Sequence, residues 1–157
     1  MPLHAGRNHA AAGTDGQRLW IFGGYGFANG DAGQLAPAYD TVQCFDPATG
    51  LWQSSAGPAP ALPPMPQPRA GMGRAVWWQG EFYVFGGESS LLPGAGVSPQ
   101  LRAYDPLSKT WRLDANLPTP RHGQGVAIFQ GRIFVSGGGQ LSGASASGKT
   151  VEDFTRQ

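Results

Sequence analysis

Charge is scarce in this 157-residue chain: Asp, Glu, Lys and Arg make up 13% of it, and the formal net charge is +1. So small and balanced a charge gives no reason to expect nucleic acid or an anionic membrane surface as a partner. Cysteine is nearly missing. The single Cys44 excludes an internal disulfide and assigns no redox compartment. No apolar run approaches the ~20 residues of a spanning helix, so no membrane segment is expected. The opening MPLHAGRNHAAAG lacks the apolar region of a secretory signal, which leaves the cytoplasm as the default compartment. The histidines, His4, His9 and His122, form no His-x-x-x-His or Glu-x-x-His spacing. Neither a metal site nor another cofactor is expected.

What the chain has in quantity is glycine and proline, 25 and 14 residues. Such a share can mean disorder. The 40% hydrophobic content and the periodic apolar runs assign these residues to the turns of an all-β fold instead. The stretch PRHGQGVAIFQGRIFVSGGG, from Pro120, reads as an Arg, small residues, an apolar run, a two-residue bend, a second apolar run and a Gly pair. An earlier copy, PRAGMGRAVWWQGEFYVFGG, starts at Pro68, and a looser one, RNHAAAGTDGQRLWIFGG, at Arg7. Each predicts a β-hairpin, with Gln79-Gly80 or Gln130-Gly131 at the bend of the two closer copies.

The Gly pairs Gly23-Gly24, Gly86-Gly87 and Gly137-Gly138 lie 63 and then 51 residues apart. VQCFDPATGLW follows the first and LRAYDPLSKTW the second, so Asp46 and Trp52, like Asp105 and Trp111, stand six apart. TVEDF follows the third, aligned with Thr41 to Phe45, and no Trp follows it. Each unit therefore predicts a hairpin, a third strand, an Asp-Pro turn and a fourth strand opening on Trp, a four-stranded antiparallel meander.

This pattern resembles the kelch repeat, whose period is ~50 and whose unit is one blade of a β-propeller. The resemblance covers nearly the whole chain. It implies a kelch-type propeller arc of about three blades: roughly 7–57, 69–116 and an incomplete 121–157. Small residues at Ala10, Ala11, Gly71, Gly73, Gly123 and Gly125 suit first strands crowded at the axis. Trp52 and Trp111 suit the gap between sheets. Propellers close with about four to eight blades. The expectation is the C-terminal half of a six-bladed ring, with a half-propeller that pairs with its own copy as the rival.

In a meander the loops between second and third strands, and between successive blades, share one face. The long segments Tyr25 to Asp40, Glu88 to Gln100, Gly139 to Lys149 and Ala56 to Pro68 all fall there. Binding residues concentrate on such loops. The residues expected at this rim are Arg7, His9, Arg69, Arg121 and His122. In some kelch domains the equivalent arginines grip acidic peptides through the bidentate guanidinium fork. The competing reading has them bonding backbone carbonyls between blades, a job suited to three matched positions. The expected function is a non-catalytic module binding a protein or peptide, acidic if the arginines grip it, with self-association completing the ring. The alternative is part of a carbohydrate-active propeller, similar to the sialic acid mutarotases or galactose oxidases. The latter's copper site needs two tyrosines, two histidines and a Tyr–Cys crosslink. No adjacent Tyr-His pair exists here, and Cys44 holds an ordinary third-strand position. Gly143 to Thr150 matches the P-loop spacing, but VEDF reads as a strand where that chemistry needs a helix, so it is expected to be a flexible loop.

Overall fold

The computed structural model describes residues 6–27, 35–94, 96–143 and 146–155; among these there are thirteen strands and no helix. The first sheet orders β1 (Ala11–Thr14), β2 (Leu19–Phe22), β5 (Val42–Asp46) and β6 (Leu51–Ser54) side by side. The second orders β7 (Val76–Trp78), β8 (Glu81–Phe85), β9 (Gln100–Asp105) and β10 (Thr110–Asn116). The third holds β11 (Gly125–Phe129), β12 (Arg132–Ser136) and β13 (Val151–Phe154). Every pairing is antiparallel between consecutive strands of the meander.

The segment Tyr25 to Asp40, expected as a loop, contains a small sheet of its own. In it β3 (Tyr25–Phe27) pairs with β4 (Leu35–Ala38). A tertiary contact contributes: a Cβ at Gly26 would lie 2.0 Å from the Tyr39 hydroxyl, so only glycine lets the ring close over this hairpin.

The local chemistry is that of the repeat. Gln79 and Gly80 both have positive φ, 51° and 86°, as a two-residue type I′ bend requires, and Gln130 and Gly131 repeat it at 49° and 72°. The third-to-fourth turns are held by carboxylates: Asp46 accepts from Ala48 N, and Asp105 from Leu107 N and the Ser108 hydroxyl. In the first sheet, Asp15 accepts from Gln17 N, Arg18 N and Trp20 Nε1, tying a longer bend to the strand after it.

Side chains alternate between the faces of each sheet, and each inter-sheet gap is filled from both sides. Trp20, Phe22, Val42 and Cys44 meet Phe82, Val84 and Tyr104 between the first two sheets. Trp111 spans this gap, its ring 4.9 Å from Tyr104 and 5.7 Å from Phe22. Tyr83, Phe85, Leu101 and Ala103 meet Val126, Ile133 and Val135 in the next gap. Each such side chain is worth ~1.5–3 kcal/mol on burial, so the gaps carry most of the stability. Trp77 and Trp78, read as one buried and one exposed residue, are both half-buried, one turned to each gap. The Cys44 thiol is buried, which pushes its pKa up to about 11.

Candidate binding face

The residues after each arginine pair with those after each Gly pair: Asn8 with Tyr25, Ala70 with Glu88, His122 with Gly139. These pairings set the starts of the first strands and the long loops at one end of all three sheets. Within the loops, Glu88 also bridges Val97 and Gly139 bridges Ser147.

The arginines themselves do not stand free at that end. Arg69 is 0% exposed and Arg121 1%. Arg69 Nη1 donates to Gly86 O at 2.7 Å, to Ser98 Oγ at 3.2 Å and to Gln100 O at 3.3 Å. Arg121 donates to Gly137 O at 2.9 Å and Thr150 O at 3.1 Å through Nη1, and to Thr150 Oγ1 and Glu152 Oε1 through Nη2. Arg7, half-buried, donates to Gly23 O at 2.9 Å and Thr41 Oγ1 at 2.8 Å and lies over the Tyr39 ring. All three thus take up oxygens where the Gly pair ends the second strand and the third begins. Buried carbonyls need such partners. The expectation of a guanidinium grip on an acidic ligand is corrected for Arg69 and Arg121, whose charged ends face inward. The carbonyl-bonding reading is also amended, because the carbonyls belong to the arginine's own sheet. The link between sheets runs through the arginine backbone instead: Gly24 N donates to Arg69 O, and Gly87 N to Arg121 O, both at 2.9 Å. Burial, then the nearby charge of Arg102, brings the Arg69 pKa down to about 10.

A polar cluster sits beside these pairings. Glu88, only 7% exposed, accepts from Ser142 Oγ at 2.8 Å and Gly143 N at 2.7 Å. Its other oxygen lies 3.5 Å from His122 Nδ1, and His122 Nε2 lies 2.9 Å from Leu141 O. Tyr25 is buried close by; burial first and the Glu88 charge second raise its hydroxyl pKa. His9 is exposed, edge-on to Tyr25 with ring centroids 6.4 Å apart. His122 and His9 thus fall where the repeat places them, and His4 lies outside the described residues. Glu88 escaped the sequence reading. Its one signal is position: it follows a Gly pair, as Tyr25 and Gly139 do.

The P-loop-like segment supplies no phosphate cradle among its described residues. Gly143 N is taken by Glu88, Gly148 N donates to Gly138 O, and a strand follows where a helix is required. Ala144 and Ser145 lie outside the described residues. A cavity of about 350 Å³ opens at the opposite, short-turn end among Thr14, Asp15, Arg74, Trp77 and Ile128.

Residues 6–58 match the kelch motif. Kelch-like protein terF of Aspergillus terreus is 32% identical over 143 residues, which are 91% of this chain and 28% of that protein. Kelch-like ECH-associated protein 1A of Danio rerio is 31% identical over 126 residues, 80% of this chain and 18% of that protein. The chain thus spans less than a third of these relatives. Among solved structures, YjhT superposes with a TM-score of 0.68 over 86% of this chain and 46% of that one, at 17% identity, a likeness of fold. With its meandering sheets, its recurring arginines and Gly pairs, and these likenesses, the chain belongs to the kelch-repeat β-propeller family.

Proposed function

We propose that this chain is a non-catalytic protein-binding module whose partner meets the long-loop face. The observation that carries this reading is the gathering of the β3–β4 hairpin and the loops after Gly87 and Gly138 at one end, while the other end has short turns. A rigid sheet scaffold under variable loops is a common design for recognition. The name of the Danio rerio relative, an ECH-associated protein, favours a protein partner. With Arg69 and Arg121 turned inward, the exposed groups there include His9, Leu91, Leu141 and Lys149. An acidic partner would then rest on Lys149, His9 and the half-buried Arg7. Self-association through the outer sheet faces, where Leu19 is 52% and Phe129 62% exposed, is part of the same reading.

The carbohydrate-active alternative draws on one observation, the approach of Glu88 to His122. One oxygen of Glu88 accepts from Ser142 Oγ and Gly143 N, the other lies 3.5 Å from His122 Nδ1, and His122 Nε2 is taken up by Leu141 O. A group so committed is a poor general base. The pair is better suited to pinning the Leu141–Gly143 loop.

Site-specific photocrosslinkers would test the face. Placed at Leu91 and Leu141 on the long-loop end, they should give discrete adducts with a partner in the source cell. At Leu107, 92% exposed on the short-turn end, they should give none. Equal labelling from both ends, or adducts from Leu107 alone, would reject the face assignment.

A further inference from the structure

In the third sheet the buried Arg121 has a full set of partners. Its Nη1 serves Gly137 O and Thr150 O, and its Nη2 serves Thr150 Oγ1 and, at 2.7 Å, Glu152 Oε1. Arg69 holds the same place in the second sheet. Its Nη1 serves Gly86 O and Gln100 O, the counterparts of Gly137 O and Thr150 O. The ladders give the counterpart of Glu152. Glu152 lies opposite Val135, two residues before Gly137, and Arg102 lies opposite Val84, two residues before Gly86. Where the third sheet offers its buried arginine a carboxylate, the second offers another guanidinium.

The hydroxyl is missing as well. Gln100 stands at the place of Thr150, and its side chain is engaged by Arg102, whose Nε donates to Gln100 Oε1 at 2.9 Å. The two arginines thus meet on one residue, Arg69 on its carbonyl and Arg102 on its side-chain amide. Arg69 Nε and Nη2 are buried with no partner among the described residues. Neither arginine has an ion pair among those residues. Burial and then the Arg102 charge lower the Arg69 pKa, as expected for like charges with no counter-charge between them. A buried charge left uncompensated is among the costliest groups a fold can hold.

We propose that Arg69 and Arg102 hold a small inorganic anion of chloride's size, in the place that Glu152 takes beside Arg121. The anion accepts from Arg69 Nη2 and from the Arg102 guanidinium, and it cancels one of the two charges. Arg69 is 0% exposed, so a partner's carboxylate does not reach it, whereas a monatomic anion can pass the half-buried Arg102. The site is internal to the second sheet, so it stands or falls independently of the long-loop face.

Thermal melts of the full chain test the site, with sodium chloride replacing sodium gluconate at constant ionic strength. The midpoint should rise by about 3–5 °C when chloride reaches about ten times its Kd. The Arg102→Glu variant rebuilds the Arg121–Glu152 pair within the second sheet. It should melt above the unaltered chain in gluconate and be indifferent to chloride. An equal chloride response in the two proteins, or none in the unaltered chain, would overturn the proposal. Chlorine NMR supplies a readout that needs no variant. The unaltered chain should broaden the chloride line, and excess bromide should compete the broadening away. Its absence would overturn the site even if Arg102→Glu failed to fold.

Discussion

Arg69 brings a positive charge to a place that water does not reach, and its value to the fold rests on what it holds there. One terminal nitrogen serves Gly86 O, Ser98 Oγ and Gln100 O, while Nε and Nη2 have no partner among the described residues. The charged form is therefore incompletely compensated, in keeping with its lowered pKa of about 10, and it stays charged at neutral pH. Removing the guanidinium leaves Gly86 O without the donor it has in Arg69, whereas Gln100 O still accepts from Gly86 N at 3.0 Å. Arg69→Met should destabilise by about 1–3 kcal/mol, and Arg69→Lys should recover part of that, because a single ammonium can donate to the oxygens that Nη1 alone serves. Urea melts would measure both; a loss under ~1 kcal/mol would show that Gly86 O finds another partner. The sequence makes the three arginines legible as a set, from their constant place before each hairpin. It does not reveal which way they point, because spacing gives position along a strand and the direction of a long side chain is decided by neighbours 16 to 34 residues away. Glu88 was illegible for the same reason: its partners Ser142 and Gly143 lie 54 and 55 residues further on.

Among the elements, the bend between β1 and β2 departs from the two-residue type of the other sheets and depends on a carboxylate. Burial works to raise the Asp15 pKa, but hydrogen bonds from Arg18 N, Gln17 N and Trp20 Nε1 outweigh it and hold it below the ordinary value of 3.8. A depressed carboxylate stabilises the fold above its unfolded pKa and loses that contribution as pH falls through the folded one. Stability should therefore drop below about pH 4 by a modest amount, under ~1 kcal/mol for this largely exposed group. Asp15→Asn should flatten the slope of the urea midpoint against pH between about 4 and 2; an unchanged slope would assign acid sensitivity elsewhere. The hairpins and Asp-Pro turns were readable because their chemistry is local. The β3–β4 sheet was not, since its two strands carry no sustained alternation and Gly26 is shaped by the distant ring of Tyr39.

For the molecule as a whole, the Gly pairs report on how sheets join. A Cβ on Gly86 would lie 2.3 Å from Arg121 O, and one on Gly23 2.3 Å from Arg69 O, both neighbouring-sheet backbone. At Gly137 the nearest atom is Gly148 O at 3.8 Å. All three have positive φ, 59° at Gly23, 52° at Gly86 and 65° at Gly137, so an alanine costs roughly 1 kcal/mol at each from conformation alone. Gly137→Ala should cost about that much. Gly86→Ala should cost several times more, because the third sheet must move off the second. Thermal melts of the two variants would compare them, and equal losses would argue against a tight junction.

That junction also bears on how such chains grow. Each arginine after the first binds forward with its side chain, to the Gly pair of its own sheet, and backward with its carbonyl, to the Gly pair of the sheet before. A gene segment copied from one arginine to the next carries a complete set of these bonds and can be inserted without disturbing either neighbour. A copy or loss of one whole period, wherever it is cut, leaves each arginine followed by a Gly pair and so keeps these bonds in register.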